Sequence, residues 1–128
     1  MRPLRDRSHR LAAVVLAAAS AIARGQGRER TVEHPTAYRT AQVDGVSIFY
    51  REAGPKDGPV LLLLHGVPTS SRQFEPLFAR LSDRYHLIAP DIPGFGETEI
   101  PSRETFAYTF DNLTRVIERF TEILGLSR

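Results

Sequence analysis

Cysteine is absent from this chain of 128 residues. That excludes a disulfide framework, a zinc–thiolate site and a thiol nucleophile, and it leaves the compartment open. The histidines are few and scattered, without metal-ligand spacing, so no cofactor or metal is implied. No apolar run reaches the ~20 residues that a membrane-spanning helix needs. There is no internal repeat and no low-complexity tract beyond the amino-terminal leader. A basic face is missing too. The net charge is +2, but Arg2, Arg5, Arg7 and Arg10 against Asp6 place +3 in the first residues, leaving −1 for everything after Ala23. The pI near 9.4 therefore belongs to the leader, and the remainder gives no support for nucleic-acid binding. Hydrophobic residues make up 41% and charged residues 25%, ordinary globular values that argue against disorder in the bulk of the chain.

The leader has three parts: an Arg-rich start, a short apolar middle over residues 11–23, and small residues at Ala19, Ser20, Ala21 and Ala23. Together they read as a secretory signal peptide over residues 1–23. A secreted or periplasmic protein is expected, with an uncleaved membrane anchor or an organelle transit peptide as the alternatives. The lack of a twin-Arg pair favours the general secretory route. Residues 24–38 read as a linker, and residues 39–128 as the folded part.

Within the folded part, residues 46–50 (VSIFY) are β-branched and aromatic, and Asp44-Gly45 before them is a turn signal. A hairpin from about residues 39–43 into 46–53 follows. Residues 60–64 (VLLLL) are apolar without alternation, as in a parallel strand covered on both faces. Phe74, Leu77, Phe78 and Leu81 mark one helix face, with Ser70 or Ser71 as cap and Pro76 tolerable only in the first turn. Residues 85–89 (YHLIA) read as a strand ended by Pro90. The clearest helix carries Phe110, Leu113, Val116, Ile117, Phe120, Ile123 and Leu124 on one stripe, between Thr109 as N-cap and Gly125 as stop. Strands alternating with helices predict an α/β fold with right-handed crossovers.

The chemistry lies at the ends of the two short strands. The first runs straight into His65, Gly66, Val67 and Pro68. At a strand-to-helix turn, backbone N–H groups are able to point into a cleft and stabilise an oxyanion. This segment resembles the H-G-x-P oxyanion loop of the α/β-hydrolase superfamily. Asp91-Ile92-Pro93-Gly94-Phe95-Gly96 resembles that family's D-x-P-G-x-G loop after the next strand. The resemblance covers about residues 43–126, with both motifs in the family's order and spacing. It implies an incomplete α/β-hydrolase fold: the amino-terminal strands and first two helices of the doubly wound sheet. H-G-x-P is similar to the epoxide hydrolase and haloalkane dehalogenase branch, which implies a backbone donor at Val67 and a cis Val67–Pro68 bond. Dehalogenases commonly have Asn at the third position and epoxide hydrolases an aromatic. Val67 is neither, which counts against dehalogenation and leaves ester or epoxide hydrolysis.

The family nucleophile sits in a G-x-[Ser/Asp]-x-G elbow on the strand after the last helix, and that pattern occurs nowhere in this sequence. None of the triad is therefore identified. The expected product is an inactive amino-terminal piece of a hydrolase whose complete form takes a small-molecule substrate. A non-catalytic binding product or a pseudogene remnant is the alternative. An improvised triad from Ser70, Ser71, His65, His86 and Asp91 is disfavoured, since the serines read as caps, the histidines as structural and Asp91 as a turn residue. Gly94 and Gly96 begin a G-x-G-x-x-G pattern, but Glu99 stands in place of the third glycine. Arg115, Glu118, Arg119 and Glu122 read as a solvated helix face. No stable membrane partner is expected. The apolar strand at residues 61–64 is expected to lack a neighbour on one side, and that unguarded edge predicts self-association.

Overall fold

The computed structural model describes residues 34–126; the expected leader and most of the expected linker lie outside them. Four strands form one mixed sheet in the order β1-β2-β4-β3: β1 Ala37–Val43, β2 Val46–Ala53, β3 Val60–Leu62 and β4 His86–Pro90. β1 and β2 form the expected hairpin, in register from Val43↔Val46 to Ala37↔Glu52. Asp44 (φ 48°) and Gly45 (φ 86°) are both left-handed, the requirement of a type I′ turn. β1 opens at Ala37, two residues before the expected start at Arg39, where Tyr38 stacks on Phe49 with ring centroids 6.3 Å apart.

β2 pairs antiparallel with β4, and β4 pairs parallel with β3. The β3–β4 connection holds a 3₁₀ turn, Ser71–Phe74, and helix α1, Glu75–Leu81. Helix α2, Phe110–Ile123, follows the long loop after β4. Pro90 closes β4 instead of standing after it. It lacks an N–H, and the ladder resumes at once with Asp91 N–H donating to the Phe49 carbonyl (2.9 Å).

The apolar runs are explained by two core clusters on opposite faces of the sheet. Val43, Val46, Ile48, Tyr50 and Ile88 pack against Val116 and Phe120 of α2. Leu87, Ala89 and Ala53 pack against Phe78 of α1. Successive residues of β4 alternate between the clusters, so none is left for water. β3 follows the same alternation but is the edge strand, and its burial falls short of the expectation. Val60 is 41% and Leu64 48% exposed, since one side has no neighbouring strand among the described residues.

The helix faces are narrower than their periodicity predicts. On α1 only Phe78 is buried, and Leu77 is 39% exposed. On α2, Val116 and Phe120 are buried, whereas Phe110 is 89% and Ile123 47% exposed. Both ends of α2 follow the sequence. Asn112 N–H donates to Thr109 Oγ1 (3.3 Å). Gly125 N–H donates to the Glu122 carbonyl and Leu126 N–H to the Thr121 carbonyl, the paired bonds of a Schellman stop.

An ionic group ties the three strands of one sheet end. His86 Nε2 lies 2.8 Å from Glu52 Oε1, and Arg39 binds the other Glu52 oxygen. Burial would raise the Glu52 pKa, but the His86 hydrogen bond and the Lys56 and Arg39 charges outweigh it, and the net shift is downward. A lowered carboxyl stabilises the fold above its unfolded-state pKa, and that contribution is lost as pH falls through the folded-state value. We expect thermal midpoints to drop through the acid carboxylate range. The Glu52→Gln variant should start lower at neutral pH and decline less steeply; parallel curves would refute this assignment. Phe120, fully buried against Tyr50 at 5.2 Å, should cost about 3–5 kcal/mol on replacement by Ala, measured by urea unfolding.

Candidate functional site

The two loops singled out in the sequence meet at the carboxyl ends of β3 and β4. In open α/β sheets this is the end where ligands bind. His65 ends the run out of β3 and is 5% exposed. Its Nε2 accepts the Ile92 N–H at 3.0 Å, and its Nδ1 lies 2.8 Å from the Gly66 carbonyl. A backbone N–H only donates and a carbonyl only accepts. The ring is therefore neutral, with its proton on Nδ1. One imidazole thus fixes the first motif to the second. The Phe95 ring stands nearly perpendicular to it, 5.6 Å away.

Gly66 and Val67 follow, and the Val67–Pro68 peptide is cis, as expected. Thr69 closes the turn, with N–H and hydroxyl both donating to the Gly66 carbonyl (3.2 and 2.9 Å). Val67 is 76% exposed, and no partner for its N–H is found among the described residues. A backbone donor without a partner among the described residues therefore stands in an exposed turn held on both sides.

Asp91 anchors the second motif and is 1% exposed. Its Oδ1 accepts the Ser71 N–H (2.6 Å) and its Oδ2 the Glu97 N–H (2.9 Å); its carbonyl accepts the Thr98 hydroxyl (2.6 Å). The expected turn bonding is present, but the bond to Ser71 reaches across to the other loop. A buried carboxylate without such donors would be costly. Gly96, at φ +55°, sits so close that an added Cβ would run into the Asp91 carboxyl group. Gly94, at φ +92°, turns against the Tyr108 ring, and Pro93 is buried.

Four residues that the motifs did not signal complete the arrangement. Ser71 is no cap: Ser70 fills that role through Arg72 N–H, while Ser71 Oγ accepts from Arg51 Nε (3.0 Å). Arg51 is 8% exposed beneath the Tyr38 and Phe49 rings, at 5.0 and 5.6 Å. Thr98 accepts the Phe49 N–H (2.9 Å), and Glu99 exchanges bonds with Ser47. Residues 98 and 99 thus substitute for a strand along the half of β2 that β4 leaves unpaired. No local signal marks these roles, because each acts through a partner far along the chain.

Among the described residues, the serine, histidine and aspartate candidates are not brought together as a triad. The His65 nitrogens are engaged by Ile92 and Gly66, Ser71 Oγ faces Arg51, and His86 pairs with Glu52 at the opposite sheet end. That opposite end also holds a half-open cavity of about 760 Å³, lined by Arg39, Glu52, Val60, His86 and Leu126 among others. It lies at the starts of β3 and β4, on the wrong side of the sheet for chemistry at the two loops. Among the described residues no helix is long and apolar enough to cross a membrane.

Residues 59–128 match the family model of the α/β hydrolase fold, more than half of the chain. The chain belongs to the α/β-hydrolase family. Among curated proteins, it is 46% identical over 85 residues to an uncharacterized hydrolase of Saccharomyces cerevisiae, covering 66% of this chain and 29% of that one. It is 42% identical over 89 residues to a haloalkane dehalogenase of Bradyrhizobium diazoefficiens, covering 70% and 28%. Among solved structures, a haloalkane dehalogenase of Bradyrhizobium elkani superposes with a TM-score of 0.66 at 31% identity, covering 71% of this chain and 30% of that one. These α/β-hydrolase relatives support the dehalogenase- and epoxide-hydrolase-like branch that His65, Gly66, Val67 and Pro68 suggested. The chain spans less than a third of the length of these curated relatives, consistent with the expected incomplete fold.

Two glycines separate the causes at work in the second loop. Gly96→Ala meets both a left-handed backbone and the Asp91 carboxylate, whereas Gly125→Ala, at φ +67°, meets only the backbone cost of about 1 kcal/mol. Urea midpoints should fall clearly further for Gly96→Ala; equal losses would remove the close approach to Asp91 as the reason for this glycine.

Proposed function

We propose that this chain carries the oxyanion loop of an exported ester or epoxide hydrolase, and that by itself it does not turn over substrate. The observation that carries the reading is the open Val67 N–H in a loop pinned by His65, at the carboxyl end of a parallel strand pair. A donor fixed in place before reaction costs no reorganisation when negative charge develops on a substrate oxygen. An aliphatic side chain at Val67 offers no polar group to a departing halide, so ester or epoxide hydrolysis is preferred to dehalogenation even though dehalogenases are among the relatives. The complete enzyme takes a small-molecule substrate and is directed to the periplasm or exterior by residues 1–23. The attacking side chain belongs to a G-x-Ser-x-G or G-x-Asp-x-G elbow outside these residues. The isolated chain associates with itself through β3, whose apolar edge carries neither charge nor proline to deter pairing.

The coding DNA and transcript past codon 128 test the reading directly. A strand-like run followed by the elbow supports it, and the elbow residue names the nucleophile. A stop followed by unrelated sequence would replace it with a binding role or a decayed remnant. The purified chain should not hydrolyse activated nitrophenyl esters above the buffer rate. Turnover that survives purification and disappears in a Ser70→Ala/Ser71→Ala double variant would overturn the claim of inactivity. Sedimentation should show concentration-dependent association, and a clean monomer at every concentration would count against the β3 edge.

A further inference from the structure

The bond between the two loops passes through one imidazole in one protonation state. His65 is buried, and its Nε2 is committed as an acceptor from the Ile92 N–H. A second ring proton would have to occupy that nitrogen, placing two donors face to face and a charge in a desolvated pocket. We propose that His65 is an acid-sensitive latch: its protonation releases the His65–Pro68 turn from the loop that begins at Asp91, without unfolding the sheet.

The surroundings favour release over retention of the charged ring. On its own segment, residues 61–71, no other side chain is titratable. The packed loop offers Asp91, Glu97 and Glu99. The Asp91 oxygens are engaged by Ser71 and Glu97 N–H groups, Glu99 accepts the Ser47 N–H, and Glu97 is exposed. The Phe95 ring, which is uncharged, also stands against the imidazole. The hairpin and the clusters that hold the sheet make no use of His65, so the sheet has no reason to open with the latch. The other buried histidine, His86, differs in kind. Its Nε2 faces the Glu52 carboxylate, an acceptor, where the Nε2 of His65 faces a donor.

The latch concerns loop release, and it rests on the proposed oxyanion role only for its catalytic meaning; the two therefore fail separately. Hydrogen–deuterium exchange of the full chain, at micromolar concentration and corrected for the intrinsic pH dependence, reads it without any substrate. On acidification from about pH 8 to about pH 5, protection at Ile92 should fall about tenfold, the worth of one hydrogen bond, while the β1–β2 hairpin keeps its protection. His65→Gln places a permanent acceptor at the same reach and should abolish the pH step. Unchanged protection at Ile92, loss together with the hairpin, or an equal step in His65→Gln would each overturn the proposal. Should His65→Gln lack hairpin protection at high pH, His86→Gln decides: the step persists if His65 is the latch, and its disappearance assigns the titration to His86 and refutes the proposal.

Discussion

A carboxylate taken out of water has to be met by donors, and much of the candidate site is organised around meeting one. Asp91 holds the Ser71 N–H with one oxygen and the Glu97 N–H with the other. The first bond fixes where the 3₁₀ turn before α1 begins, and with it the far end of the His65–Pro68 turn. The second curls the following loop back on itself, which is possible only with glycine at position 96. His65 then closes the ring from the near side. The loop after β3 is therefore shaped chiefly by residues of the loop after β4. This gives a physical reason for the two motifs to occur as a pair: the His65–Ile92 and Ser71–Asp91 bonds fix the first loop against the second.

Polar chemistry at the two ends of the sheet is of different kinds. At the carboxyl end the bonds run mostly from backbone N–H groups to side-chain acceptors, Asp91, His65, Thr98 and Glu99. At the opposite end, the Arg39–Glu52 ion pair and the Glu52–His86 hydrogen bond cross three strands, beside a cavity. The first kind sets the geometry of two loops with little net charge. The second kind fastens strands together and depends on ionisation.

What could be read from the sequence divides along the range of the interactions. The hairpin turn at Asp44-Gly45, the Thr109 cap and the Gly125 stop depend on backbone conformation within a few residues, and each is visible as a local pattern. The continuous apolar runs announced two covered sheet faces, since alternation is lost only when both sides are buried. They did not say which strand would lie at the edge, because edge position is a property of the order of strands and not of any one of them. Ser71 looked like a cap because serine before a helix usually is one; its neighbour Ser70 took that role. Arg51, Thr98 and Glu99 gave no signal at all. Their partners lie 20, 49 and 52 positions away, and nothing in a local window distinguishes a buried arginine from a solvated one.

The strand-like use of Thr98 and Glu99 bears on how such a chain drifts over generations. Between Asp91 and Glu99 the number of residues is set at both ends, by the buried carboxylate and by the rungs on Phe49 and Ser47. Adding or deleting one residue there would throw every rung out of phase. Just beyond, the exposed residues 102–105 bond, among the described residues, only with one another and with the adjacent Phe106. Length polymorphism among homologous chains should therefore gather in that short stretch, at no cost to the rungs that fix the preceding loop.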